Sequence, residues 1–175
     1  EFTYARTETD SIETQNNGLF RLEYERLFQS PWTWWTRFSG EYDEFKAFDV
    51  RLVLNTGLGY RFINTDITKL KGRIGAGVSR ELGGPNDDFS PEATFGLDFE
   101  RKLTERQKFT TTVDYFPEFD DYTNYRLVSK TGWEVVLDAE SNLSLKVTLI
   151  DRYDSTPEGR KPNDLDYAIL LLWKL

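Results

Sequence analysis

Carboxylates recur two residues apart in this chain: Glu23 and Glu25, Glu41 and Asp43, Asp98 and Glu100. Two carboxylates held close together can serve as an acid and a base, because repulsion and desolvation raise the pKa of one of them. Arg and Lys recur at the same spacing, however, so a structural ion-pair network accounts for these acids better than a reaction does. The chain has no His and no Cys. That removes Ser-His and Asp-His hydrolytic sites, imidazole and thiolate metal sites, and disulfides. The Gly-rich stretch GRIGAGVSRELGG (72–84) lies inside a strand pattern with no helix after it, so it has no helix N-terminus to receive a phosphate. PNDDF (85–89) and FPEFDDY (116–122) cluster carboxylates without EF-hand spacing and read as exposed acidic loops. WTWW (32–35), at a strand start, reads as an interfacial anchor rather than a sugar platform. No catalytic, cofactor-binding or metal-ligating residue is assigned, and the expectation is a protein that is not an enzyme and carries no cofactor.

The elements that position these charges are strands. FDVRLVLNTGLGYRF (48–62) alternates apolar and polar residues over its whole length, and successive side chains of a strand leave opposite faces. Strands of soluble domains run to about 5–6 residues. This one would extend roughly 50 Å at about 3.3 Å per residue, or about 35 Å along a membrane normal at a tilt of about 45°. Helical periodicity is nearly absent. Ten strands are predicted, at roughly 2–14, 18–29, 32–43, 47–63, 67–81, 90–102, 107–116, 122–138, 143–153 and 165–175. Gln29-Ser30-Pro31, Asn64-Thr65-Asp66, Leu103-Thr104-Glu105-Arg106 and Ala139-Glu140-Ser141-Asn142 are tight connections. Longer ones lie between them at 82–90, 117–122 and 154–164, with shorter turns at QNNG and DEFK. The first strand has almost no apolar face.

The chain has 175 residues, a net charge of −8 and a pI near 4.7. These values suit one domain spanning 1–175 and argue against nucleic acid as a partner. No apolar window is long enough for a transmembrane helix, although a spanning barrel keeps a low mean hydropathy because half of each strand faces inward. The chain starts Glu-Phe-Thr-Tyr and lacks Met, which is expected either of a mature chain whose signal peptide has been removed or of a piece excised from a longer chain.

Either face of the alternation could be the inside. Three observations put the charged face inside. It carries both signs in near balance, as a confined interior requires. It also carries Gly57, Gly59, Gly75, Gly77, Gly96 and Gly132, which leave room for long side chains. On the apolar face, aromatics gather near strand ends around an aliphatic band, with Phe48 placed at the long-loop end. The interior ion-pair network is expected from Arg21, Glu23, Glu25, Arg37, Glu41, Asp43, Asp49, Arg51, Arg61, Lys71, Arg73, Asp98, Glu100, Arg126, Lys130, Glu134 and Lys146. The membrane-interface aromatics are expected to be Phe28, Trp32, Trp34, Phe62, Tyr115 and Trp173. Arg26 falls in the apolar register, where it would have to snorkel.

NTGLGYRF (55–62), RIGAGVSRE (73–81), FGLDFERKLTERQKFTTTVDYFPEFDD (95–121), LSLKVTLIDRYDSTP (143–157) and NDLDYAILLLWKL (163–175) together resemble the DUF481 family of salt-induced outer-membrane proteins. The resemblance runs from about Gly18 to the end and rests on strand patterns. It implies an all-β, antiparallel up-and-down transmembrane β-barrel of about ten strands in a bacterial outer membrane. The chain departs from one outer-membrane habit by ending in Leu175 rather than an aromatic residue. The function expected is that of a structural or envelope-stress protein with a narrow, charge-lined lumen, in contact with lipid and lipopolysaccharide. A small-solute pore and a soluble lipocalin-like barrel holding an apolar ligand are the alternatives.

Overall fold

Ten strands follow one another, each hydrogen-bonded antiparallel to the next in sequence order. They are β1 (Phe2–Thr9), β2 (Ile12–Leu27), β3 (Trp32–Asp43), β4 (Val50–Asn64), β5 (Thr68–Leu82), β6 (Phe89–Thr104), β7 (Gln107–Pro117), β8 (Tyr125–Asp138), β9 (Leu143–Asp154) and β10 (Asn163–Trp173). The computed structural model describes residues 2–9, 12–45, 48–84, 87–138, 140–157 and 161–173. No helix occurs among them. The expectation at the end of the chain, Leu175, lies outside the described residues.

The long alternating run that defines β4 pairs with β3 from Trp32↔Tyr60 to Tyr42↔Val50, and with β5 from Val50↔Leu82 to Asn64↔Lys69. These registers fix the two faces, because a slip of one residue would turn every side chain over. Continuing from strand to strand, Arg37, Asn55, Arg73, Asp98, Asp114, Lys130 and Lys146 share the concave face. Ion pairs then reach across that face between strands that are not neighbours, from β3 to β7 and from β4 to the end of β9. The sheet is therefore a curled half-barrel. Its registers leave β1 and β10 as edges, with no pairing between them among the described residues. A ten-stranded barrel was expected, with its closure left open by the weak first strand; the described residues form a half-barrel whose two edge strands do not pair with each other.

The distribution of side chains is inverted relative to a water-soluble domain. Arg73 is 6 % exposed, Glu92 1 % and Asn55 1 %, whereas Leu54 is 48 % exposed and Phe95 45 %. Trp35, Phe48, Ala93, Phe116 and Pro117 are the buried apolar side chains among the described residues. The charged face is the inside, as its balanced signs and glycines predict.

Three local expectations are corrected. QNNG does not form a turn: Asn16 and Asn17 lie inside β2 and pair with Arg6 and Ala5. β1 and β2 instead pair as far as Thr9↔Ile12, because alternating polar residues can continue a ladder whose backbone needs no apolar face. β4 begins at Val50 and β8 at Tyr125, each about three residues later than predicted. Before β8, Asp121 accepts from the Thr123 backbone and hydroxyl, and Asn124 N–H donates to the Asp121 carbonyl, closing a turn. Phe48 is not on the outer face. It is buried at the mouth of the interior, with the Arg51 guanidinium 4.4 Å from its ring centroid.

Candidate functional site

The interior charges fall into three layers along the strands. The central layer is built on Trp35, whose side chain is 0 % exposed. It points inward from β3, with the guanidinium carbons of Arg37 and Arg73 at 5.8 and 5.7 Å from its ring. Arg37 donates to Glu23 at 3.1 Å and to Asp114 at 3.0 Å. Arg73 donates to both oxygens of Asp98, at 2.9 and 2.8 Å, and to Asp114 at 2.8 Å. This bidentate geometry suits a buried guanidinium, because it meets several donors at once. Gly96 makes the arrangement possible, since a Cβ there would lie 2.8 Å from both the Arg73 guanidinium and Asp114.

Beside this cluster is a chamber of about 280 Å³, lined by Arg21, Glu23, Arg37, Arg73, Asp98, Asp114, Lys130 and Lys146, with the hydroxyls of Thr110, Thr112 and Thr148. Toward the tight-turn end, Lys71 lies 2.9 Å from Glu25 and 3.3 Å from Asp98. Lys69 meets Glu100 at 3.3 Å, and Lys108 meets Glu134 at 3.9 Å.

Toward the long loops a wider cavity of about 480 Å³ opens. Arg51 binds Glu81 and reaches Asp154 at 3.3 Å, with Glu41 its cross-strand neighbour. Arg126 binds Glu92, which also accepts from Asn55 at 3.0 Å. Phe48, Phe116 and Phe89 each lie under an arginine, at 4.4, 5.2 and 4.8 Å. At the rim, burial pushes the Glu118 carboxyl above its ordinary value, against a hydrogen bond from Asn124 and the charge of Arg126. The Thr123 hydroxyl and backbone hold the Asp121 carboxyl below its ordinary value.

Most of the predicted network is thus assembled. Glu23, Glu25, Arg37, Arg51, Lys71, Arg73, Asp98, Glu100, Arg126 and Glu134 are in ion pairs. Arg21, Lys130 and Lys146 line the chamber and Glu41 the mouth. Three predicted members do other work. Arg61 donates to the carbonyls of Phe28, Ser30 and Pro31, at 3.3, 2.5 and 3.4 Å, and fixes the tight β2–β3 turn. Asp43 accepts from Phe45 N–H at 3.0 Å and starts the β3–β4 connection. Asp49 is exposed and lies over Gly83, whose φ of +78° suits glycine.

The sequence reading missed Asp114, Glu81 and Asp154 as network members, and Trp35 as its floor, whereas Glu92 falls in the charged register as read from the alternation. Asp114 was recoverable, because KFTTTVD places it in the same register as Lys108, Thr110 and Thr112. Trp35 had no such signal, being an apolar residue in a charged register.

On the outer face ring contacts gather toward both strand ends, while Phe20 and Phe38, 6.3 Å apart, and Phe95 beside Ile74 lie nearer mid-strand. Near the tight turns Trp32 meets Tyr60 at 4.9 Å, Tyr60 meets Phe62 at 5.1 Å, and Tyr24 meets Trp34 at 5.8 Å. Near the long loops Tyr115, Tyr125 and Tyr153 form a chain at 5.3 and 5.6 Å. Phe28 and Trp173 are exposed at the tight-turn end, and Arg26 is exposed with its guanidinium 5.8 Å from the Phe28 ring.

The family described as Protein of unknown function, DUF481, matches residues 1–175. The chain belongs to the DUF481 family. No curated protein matches it. The DUF481 chain thus combines an all-β, up-and-down curled sheet with a concave face of paired charges and an apolar convex face.

Proposed function

We propose that this DUF481 chain is a non-enzymatic outer-membrane β-barrel protein of the bacterial envelope, structural or stress-related, with a narrow charge-lined lumen. The observation that carries the proposal is the inverted side-chain distribution, with Arg73, Glu92 and Asn55 buried while Leu54, Ile74 and Phe95 are exposed. In water, such a convex face would be an apolar patch far beyond the few hundred Å² that monomers tolerate. Against lipid the same face needs no cover. Strands of 15 and 16 residues, such as β4 and β6, tilted by about 45° cover roughly 35 Å. That exceeds the hydrocarbon thickness of about 30 Å and leaves the ring contacts of the two strand ends at its borders. Long acidic loops then face lipopolysaccharide, and the tight turns face the periplasm. A soluble carrier of an apolar ligand is disfavoured, since the cavities are lined by charges.

The test is purification with and without detergent, together with gel migration of boiled and unboiled samples. Detergent dependence and heat-modifiable migration are expected. A monodisperse protein in plain buffer would sink the proposal. A small-solute pore is the second reading, favoured by the two interior cavities, and single-channel recording in planar bilayers decides it: a closed trace rejects the pore.

A further inference from the structure

We infer that the β7–β8 connection, residues 118–124, is a proton-sensitive strap over the wide cavity, docked on β6 while Glu118 is protonated and loosened once it is ionised. The strap lines that cavity through Glu118, Asp120 and Asn124. Its attachment to β6 is short. Beyond the last β7–β8 pair, Pro117↔Tyr125, it meets β6 in an isolated bridge, Glu92↔Glu118, and the Phe119 N–H donates to the Pro91 carbonyl at 3.0 Å. Within the strap, the Glu118 N–H donates to the Asn124 carbonyl and the Asn124 N–H to the Asp121 carbonyl, both at 2.9 Å. The aromatic side chains do not anchor it, since Phe119 is 44 % exposed and Tyr122 65 %. A segment held in this way opens at little cost, so a single charge can decide its position.

The bridge sets two glutamates directly opposite each other, where like charges work against the pairing. Glu92 is held in place, being 1 % exposed and bound by Arg126 and by the Asn55 amide at 3.0 Å. Glu118 is half-buried and belongs to the strap. Among the described residues it is surrounded by Glu92 of β6, Arg126 of β8, Asp154 at the end of β9 and the Asn124 side chain. Arg126 is shared with Glu92, and Asp154 is reached by Arg51 at 3.3 Å. On the strap itself, Asp120 is exposed and Asp121 is turned to Thr123. Burial pushes the Glu118 carboxyl above its ordinary value, and Glu92 and Asp154 add to it against the Asn124 hydrogen bond and Arg126. A carboxyl raised in the docked state favours docking while protonated. Docking is therefore full below the ordinary value and is lost as the pH rises through the raised one.

The experiment is amide hydrogen exchange of the full folded chain between about pH 4 and pH 7, read as protection factors relative to amides of β4 and β5. Detergent micelles or plain buffer serve equally, so the outcome does not depend on the membrane reading. The Phe119 amide is expected to lose protection by about threefold or more as the pH rises, with a ceiling of about tenfold per pH unit for one proton. Glu118→Gln should stay protected and flat over the same range. Asp120→Asn, on the same strap but exposed, should follow the unsubstituted chain. Carbon NMR of the Glu118 carboxyl should titrate with the same midpoint as the amide protection, which keeps the test decisive if Glu118→Gln misfolds. A flat profile in the unsubstituted chain, a pH dependence that survives Glu118→Gln, its loss in Asp120→Asn, or a carboxyl midpoint apart from that of the amide would each overturn the inference.

Discussion

Asp114 receives Arg37 on one carboxylate oxygen at 3.0 Å and Arg73 on the other at 2.8 Å. Neither arginine can lose its proton at any pH the fold survives, so both need acceptors once water is excluded. Removing the shared carboxylate leaves two buried guanidinium groups with part of their compensation gone. Asp114→Asn is therefore expected to destabilise the chain by about 3–5 kcal/mol, read as a lower midpoint in urea unfolding. The exposed pair Arg80–Asp87, at 2.9 Å, is the control. Arg80→Gln should change stability by less than about 1 kcal/mol, since water screens that pair and solvates either partner alone. Equal losses from the two substitutions would mean that the interior is as wet as the rim.

At the scale of the element, β4 and β5 approach closely through glycine. Gly57 and Gly75 are cross-strand partners on the concave face, and a Cβ on Gly57 would lie 2.5 Å from the Gly75 Cα. A Cβ on Gly75 would lie 2.8 Å from Trp35 Cζ2. These glycines are there for space: both let the β4 and β5 backbones approach, and Gly75 also leaves the volume that Trp35 fills. Gly57→Ala is expected to cost about 1–3 kcal/mol, because backbone must move to admit the methyl group. Gly40→Ala meets nothing nearer than Leu52 Cδ2 at 3.5 Å and should stay within about 0.5 kcal/mol. Comparing thermal midpoints of the two variants checks this. β10 differs from its neighbours in presenting Leu170 and Leu172 on the face where other strands carry charge, so its C-terminal half is apolar on both sides.

For the whole molecule, the question is which solvent covers the convex face. Ile74 sits in the middle of β5, exposed, between Leu58 of β4 and Phe95 of β6. Ile74→Arg should cost about 2–4 kcal/mol for the chain folded in phospholipid vesicles, because an arginine at mid-depth cannot easily reach water. A surface facing water would accept the same change within about 0.5 kcal/mol. Unfolding in vesicles distinguishes the two, and a negligible loss would count against the bilayer. The open edges follow from the same physics. Unpaired backbone groups are costly in hydrocarbon, so β1 and β10 are the elements whose state depends most on the surrounding medium.

Sequence alone determined the strands and their sidedness. The period of two is a local property of the backbone, and balanced charges with glycines can be read along a single strand, as in FDVRLVLNTGLGYRF. It also determined the separation of aromatics toward strand ends. Only the tertiary structure decided which charges meet. Arg37 and Asp114 stand 77 residues apart, and Arg51 and Asp154 stand 103 apart. Their encounter depends on the registers of every strand between them and on how tightly the sheet curls. The same curl took Phe48 to the inner mouth, buried Trp35, and left β1 and β10 without pairing to each other among the described residues, because closure depends on angles summed over ten strands.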